Sequence, residues 1–378
     1  MNRLNYPVIL ILSLILFNCN ENKVKTVLEK QPSIIDSIIV DYPDDYIGGL
    51  KFQSQYIGKN DFLIKTAEYN GEFYIYPLNI TNRKYEKTIH LFQDGPDGYQ
   101  MPAPNFYVHT LDSIFIFPSR AGEILLYDNS GKIVNRYPFK SDDNLSFGSL
   151  HAQQTGGIFK NNLLLNGISG NPQHSNFLSD NHTTYKYDFT KQNLDVVNSY
   201  PEYLHGMYLP QNFVCSQSLV VFDTLLLTNY PFAEELYFEN IEDDEDQFRV
   251  KAGLEGFKHI EPKMKPASEL QSMAAELEFP IYKTILYDKY RSKIYRLINH
   301  KAEEYSSLSG QEVLIEIANG NNRVWQLSMI QLNSQLTIEK VINLPLNKIW
   351  VPTKTGLLTE AWNGEDDSKD RFYILKLD

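Results

Sequence analysis

Hydrophobic and polar positions alternate along most of this chain in short runs, each closed by Gly, Asn, Asp, Ser or Pro. Residues 61–67 (DFLIKTA), 72–77 (EFYIYP) and 85–92 are successive examples, and Asn70-Gly71 between the first two is a tight hairpin signal. The runs 112–117, 122–128 and 132–139 follow, with Asn129-Ser130-Gly131 as the turn between the last two. The same rhythm predicts strands at 162–166, 183–189, 194–200, 213–222, 223–230, 235–239, 282–287 and 293–300. It closes with 312–318, 323–332, 337–344, 350–361 and 371–377. A period of two with frequent turns predicts an all-β chain: a sandwich, a barrel or a propeller.

A longer period separates these. A unit of strand, turn, "x-I/L-Y-x-hydrophobic" strand, turn and closing strand recurs at 62–76, 114–127 and 285–297. A spacing of roughly 45–60 residues fits four-stranded blades better than sandwich hairpins. Residues 36–378 divide into six blades of about 57 residues or seven of about 49. Residues 371–377 (RFYILKL) form a strand with no partner after it, and 35–40 (IDSIIV) would supply one. The two termini would then close the ring and remove its exposed edges. The expectation is a single β-propeller of six four-stranded blades over residues 36–378.

One stretch departs from this pattern. Residues 266–278 (PASELQSMAAELE) predict a helix, with Pro266 in its first turn and Ser268 with Gln271 as a capping box. Leu270, Met273, Ala274 and Leu277 would form its apolar face.

The N-terminus reads as an address. Arg3 supplies a positive charge, and residues 6–17 (YPVILILSLILF) are an apolar run of twelve. Twelve residues make about 18 Å of helix against a bilayer core of about 30 Å, the length of a signal-peptide h-region. Leu16-Phe17-Asn18-Cys19 resembles a bacterial lipobox, with an aliphatic residue at −3 and Asn18 at −1 in place of the commoner Gly or Ala. The resemblance implies a signal peptide over 1–18, acylation of Cys19 and a lipidated tether over 19–35. Asn20 after the cysteine favours the outer membrane by analogy with enteric lipoproteins, and leaves surface and periplasmic orientation open. The alternative is a secreted protein with an incidental cysteine, or an uncleaved anchor.

Composition narrows the rest. The chain has 378 residues, 42% hydrophobic, with a formal net charge of −12. An acidic body without a local Lys/Arg cluster in sequence argues against nucleic-acid partners. There are two cysteines, so acylation of Cys19 leaves no intrachain disulfide, and Cys215 is expected as a small core residue.

Residues 279–291 (FPIYKTILYDKYR) followed by Ile294-Tyr295-Arg296-Leu297 resemble a block of a domain-of-unknown-function family (the 4221 type) of Bacteroidetes lipoproteins. Residues 94–98 (DGPDG) and 109–115 (HTLDSIF) carry further likeness. The family is similar to TolB-like six-bladed propellers. The resemblance implies a six-bladed propeller on a lipid anchor, and it implies no activity.

Candidate chemistry is sparse. Tyr287, Asp288, Tyr290 and Arg291 would bind a polar ligand at a channel mouth; alternatively Asp288 caps a hairpin turn and Arg296 pairs with a carboxylate. His151 and His205 lie beside small residues at expected blade entries, where they would face the channel or serve as structural histidines. Residues 94–98 lack the alternating ligand order of a calcium loop. The five carboxylates 242–246 read as a solvated loop. No paired-histidine motif, nucleophile elbow or P-loop is present, so neither metal nor cofactor is expected. Two functions remain: a lipid-anchored envelope module binding or scaffolding a protein or glycan partner, or a hydrolase or lyase using channel carboxylates on a polymer.

Overall fold

The computed structural model describes residues 28–29, 32–48, 51–57, 60–99, 105–118, 122–140, 145–147, 156–168, 177–206, 217–254, 273–274, 277–346, 349–361 and 368–377. Its strands form six sheets arranged as a propeller, antiparallel except for the two-residue strand Leu28–Glu29, which adds in parallel to blade 5. Blade 1 holds Lys51–Ile57, Asn60–Tyr69, Glu72–Asn79 and an outer strand in two pieces, Lys84–Tyr85 and Ile89–Leu91. Blade 2 holds Asn105–Thr110, Ser113–Phe117, Glu123–Tyr127 and Ile133–Pro138. In blade 3 the inner strand is split into Ser146–Phe147 and Gly156–Phe159, followed by Asn162–Ile168, His182–Asp188 and Asn193–Ser199. Blade 4 holds Ser218–Phe222, Leu225–Asn229, Glu235–Asn240 and Asp243–Lys251. Blade 5 holds Ile281–Asp288, Lys293–Lys301, Trp325–Leu332 and Ile338–Leu344. Blade 6 is built from Trp350–Pro352, Leu357–Glu360, Lys369–Leu375 and the N-terminal strand Ile34–Asp41.

That last pairing is the ring closure expected from the termini. Ile34–Asp41 lies antiparallel to Lys369–Leu375, from Ile34 opposite Leu375 to Asp41 opposite Lys369. Ile38 and Val40 turn into the core, while Ile39 between them is exposed. The Asn70-Gly71 hairpin also forms as its sequence requires. Both residues have positive φ, 52° and 77°, the left-handed pair of a type I′ turn.

Apolar layers fill the spaces between blades. Ile64, Ile75 and Ile116 pack between blades 1 and 2, and Leu297, Met329 and Trp350 between blades 5 and 6. The layer between blades 3 and 4 is divided in two, one part built on Leu164, Leu219 and Leu226 with buried Asn166, Thr184 and Thr228 beside them, the other on Phe177, Tyr200, Tyr230 and Phe232. Close approach of inner strands has a glycine requirement here. A Cβ on Gly157 would sit 2.7 Å from Val221 Cγ2 of blade 4.

Short turns join the first strand to the second, and the third to the fourth, at one end of the blades; this is the turn face. Every connection between successive blades leaves from the opposite end, the loop face. The helix Gly310–Ala318, within the connection 302–324 of blade 5, belongs to the loop face as well.

Several expectations are corrected. Residues 312–318 are helical rather than extended, because Ser309 and Glu312 form a reciprocal capping box that nucleates the first turn. Residues 350–361 are two strands, divided where Gly356 and Thr353 exchange hydrogen bonds. The acidic run 242–246 continues from its turn into the outer strand Asp243–Lys251, an edge on which Asp243 and Asp246 are exposed. Arg296 is fully buried, and among the described residues it meets no carboxylate. It donates to the carbonyls of Glu234 (2.6 Å), Ala252 (2.8 Å) and Ala233 and to Asn229 Oδ1 (2.8 Å), with its guanidinium 3.8 Å from the Tyr282 ring centre. Burial lowers its pKa to about 10.

Of the helix expected at 266–278, only Met273, Ala274, Leu277 and Glu278 are described. Met273 and Ala274 are helical, and the Leu277 amide donates to the Met273 carbonyl. Cys19, His151 and Cys215 lie outside the described residues. Among the described residues, no helix is long and apolar enough to cross a membrane.

Candidate functional site

The polar cluster expected around Tyr287–Arg291 sits on the turn face, where the inner strand of blade 5 ends at Asp288. Asp288 is fully buried and fully used. Its Oδ1 accepts the amides of Tyr290 (3.0 Å) and Arg291 (3.2 Å), and its Oδ2 accepts Arg291 Nη1 (2.7 Å) and the Tyr295 hydroxyl (3.1 Å). Arg291 also donates to the carbonyls of Thr353 (3.0 Å) and Lys354 (3.5 Å) in blade 6. Tyr290 reaches further and donates to Asp61 Oδ1 of blade 1 at 2.5 Å. The inner turns of blades 5 and 6 and the second strand of blade 1 are thus tied together by side chains.

Electrostatics follow from this packing. Burial raises the Asp61 pKa, opposed by the Tyr290 hydroxyl and by Lys289 nearby. Burial also pushes the Lys289 amine down to about 8, with Asp61 opposing. Tyr287 turns the other way and stacks on Phe222 of blade 4, centroids 4.7 Å apart. Asp288, Tyr290 and Arg291 therefore do come together, but as a fastener whose oxygens and donors are spent inside the protein. A hydrolase needs carboxylates free to meet substrate, and Asp61 and Asp288 are both committed to protein donors.

His205 is far from this cluster in the topology. It follows blade 3 on the loop face and is exposed, with Nε2 3.3 Å from the Tyr200 carbonyl oxygen. The candidates of the turn face and the loop face cannot form one site. Asp97 of the 94–98 loop is structural as well: its carboxylate accepts the Ile133 amide at 3.1 Å, and its carbonyl accepts the Tyr127 hydroxyl at 2.9 Å. Among the described residues, no group of three His, Cys, Asp or Glu side chains is placed to hold a metal ion.

A different feature occupies the loop face where blade 6 meets blade 1. Tyr42 and Tyr46, just past the ring-closing strand, stack with centroids 3.9 Å apart and planes 8° apart. Tyr46 packs on Tyr76 (4.9 Å), Tyr76 lies beside Tyr74 (6.3 Å), Tyr74 stacks on His90 (4.4 Å), and His90 packs on Phe92 (4.2 Å). Tyr42, Tyr46, Tyr74 and His90 are half-buried, Tyr76 at the middle of the row is fully buried, and the row ends in the exposed Phe92. Glu72 runs alongside, accepting from the Tyr74 hydroxyl at 2.8 Å and lying 2.8 Å from His90 Nε2.

The row rests on a buried ion pair. Lys65 of blade 1 meets Asp370 of blade 6 at 2.7 Å, and the Lys65 ammonium lies 5.2 Å from the Tyr46 ring centre and 5.4 Å from that of Tyr42. Asp370 also accepts the Tyr42 hydroxyl (3.0 Å) and that of Tyr85. Burial and the Asp370 charge hold both phenols well above their ordinary pKa.

Sequence reasoning missed this row, although part of its signal was present. In Glu72-Phe73-Tyr74-Ile75-Tyr76, a period of two puts both tyrosines on one side of the strand, opposite the core-facing Phe73 and Ile75. Nothing local links them to Tyr42 and Tyr46, which arrive only through ring closure.

A family model described as a domain of unknown function, DUF4221, matches residues 75–315. The chain belongs to the DUF4221 family. A crystal structure of a DUF4221 member from Bacteroides vulgatus is 17% identical and superposes with a TM-score of 0.72, covering 92% of this chain and 98% of that one. An exported protein from Bacteroides fragilis is 10% identical with a TM-score of 0.50, again covering 92% of this chain and 98% of that one. At these identities the likeness concerns the fold. A search of curated proteins finds no match. This DUF4221 chain thus shares its six-bladed architecture with Bacteroides relatives, and its chemistry has to be argued from its own residues.

Proposed function

We propose that this DUF4221 propeller is a lipid-anchored module of the cell envelope, held at the outer membrane through acylated Cys19. It binds a glycan on its loop face and performs no chemistry on it. The observation that carries this reading is the aromatic row from Tyr42 to Phe92. The partly exposed rings of Tyr46, Tyr74 and His90 and the exposed ring of Phe92 offer apolar surface to the C–H faces of sugars, while the carboxylates of Glu72 and Asp45 offer acceptors to their hydroxyl groups. The row is fixed in advance by stacking and by the Lys65–Asp370 pair beneath it, so little ordering entropy is lost on binding. The commitment of Asp61 and Asp288 to protein donors supports binding over hydrolysis.

Isothermal titration of residues 20–378 with soluble envelope and dietary glycans tests the reading. At least one glycan is expected to bind, and Phe92→Ala or His90→Ala to weaken it about tenfold, the equivalent of about 1.4 kcal/mol. Binding unaffected by either substitution, or a glycan cleaved during the titration, would overturn it.

A further inference from the structure

The path of the N-terminal segment sets which face of the disc looks toward its anchor. Leu28–Glu29 adds to the outer edge of blade 5 in parallel with Ile338–Leu344, Leu28 opposite Val341 and Glu29 opposite Ile342. Ile338–Leu344 begins after the turn 333–337 on the turn face and runs toward the loop face. A parallel neighbour runs the same way, so Leu28–Glu29 also points from the turn face toward the loop face. The ring-closing strand also starts at the turn face, with Ile34 opposite Leu375. Nine steps of chain separate Cys19 from Leu28, a reach of at most about 30 Å. An anchor on so short a lead keeps the membrane close to blade 5, and the direction of Leu28–Glu29 favours its turn face.

Charge agrees with this direction. The turn face of blades 5, 6 and 1 carries Arg83, Lys84, Lys289, Arg291, Lys293, Lys354 and Lys376 against the carboxylates Asp36 and Glu339, which pair with Arg83 and Lys293, and the buried Asp61 and Asp288, so bases outnumber acids there. The loop face of blades 5 and 1 and the connection between blades 6 and 1 carries Asp44, Asp45, Glu72, Glu303, Glu304 and Glu312. In a chain of net charge −12, an anionic surface would repel the second face and attract the first.

We infer that the turn face of blades 5, 6 and 1 rests against anionic lipid headgroups, presenting the loop face and its aromatic row away from the membrane. This inference rests on the acylation of Cys19 proposed above. Depth measurement on the acylated full chain tests it. With Cys215→Ser removing the second thiol, a fluorophore is placed at Thr355→Cys on the turn face or Glu303→Cys on the loop face, both exposed positions. In phosphatidylcholine vesicles containing phosphatidylglycerol and a headgroup-linked quencher, the label at 355 is expected to dim severalfold more than the label at 303. Equal dimming, or greater dimming at 303, would overturn the orientation alone. Mass spectrometry of the N-terminal peptide reports separately on the acyl chains. A peptide without them would overturn the anchor, and the orientation with it.

Discussion

The Tyr290 hydroxyl of blade 5 donates to the Asp61 carboxylate of blade 1 at 2.5 Å, reaching across the inner turn of blade 6. Arg291, next in sequence, holds that same inner turn by the carbonyls of Thr353 and Lys354. Blade 6 is the blade completed by the N-terminal strand. These contacts therefore brace the ring beside its point of closure.

Tyr290→Phe removes one hydrogen bond to a carboxylate, expected to cost about 1.5–3 kcal/mol, read as a lower guanidinium midpoint at unchanged slope. Its pH dependence is distinctive. Burial raises the Asp61 pKa above its ordinary 3.8, so the folded state holds that proton more tightly than the unfolded chain. The stability this contributes is complete at acid pH and is lost as pH rises through the folded value. Asp61→Asn should flatten the decline, whereas Tyr290→Phe, by removing a donor that favours the charged form, should extend it to higher pH. A decline unchanged in Asp61→Asn would show that another group causes it.

Lys289, lowered to about 8 by burial, should acylate faster than the other surface lysines near pH 8. Peptide mass spectrometry after brief N-hydroxysuccinimide ester treatment at several pH values gives its apparent pKa. Linkage runs the opposite way to Asp61: the unfolded chain binds this proton more tightly between pH 8 and 10.5, so stability gains with rising pH across that interval. Asp61→Asn removes the opposing carboxylate and should lower the apparent value further. An unchanged value would exclude Asp61 as its partner.

The Lys65–Asp370 pair joins blade 1 to the C-terminal strand with both side chains at most 3% exposed. Lys65→Met leaves a buried carboxylate without its cation and should cost about 3–5 kcal/mol. Adding Asp370→Asn should recover part of that loss, because the neutral amide accepts from one of the Tyr42 and Tyr85 hydroxyls through its oxygen and can donate to the other through its NH2. A Lys65→Met protein as stable as the parent would contradict the role given to the pair. No recovery in the double variant would instead assign the loss to packing of the lysine stem.

What the sequence revealed and what it hid follow one physical division. The Asn70-Gly71 turn was legible because positive φ is a local demand that those residues meet. The closing strand was legible because its hydrophobic run had no neighbour in sequence, and Lys369–Leu375 had a free side. Helix Gly310–Ala318 was misread although Ser309 and Glu312 spelled its cap, because Val313, Ile315 and Ile317 alternate like a strand. Asp288 was legible as a turn cap because the amides it accepts, those of Tyr290 and Arg291, follow it directly in sequence. The structural role of Tyr290 and Arg291 depends on Thr353, Lys354 and Asp61, which only the closed ring brings near. The Tyr42–Phe92 row was hidden for the same reason, being assembled from the end of one blade and the outer strands of the next.

The central claim is that a glycan binds the loop face at the seam of blades 6 and 1. Hydrogen–deuterium exchange with and without a bound glycan tests it most directly. The account predicts slowed exchange in residues 42–48, 72–76 and 88–92, and none in the turns 289–292 and 353–356. Slowing confined to those turns, with the aromatic row unchanged, would contradict it.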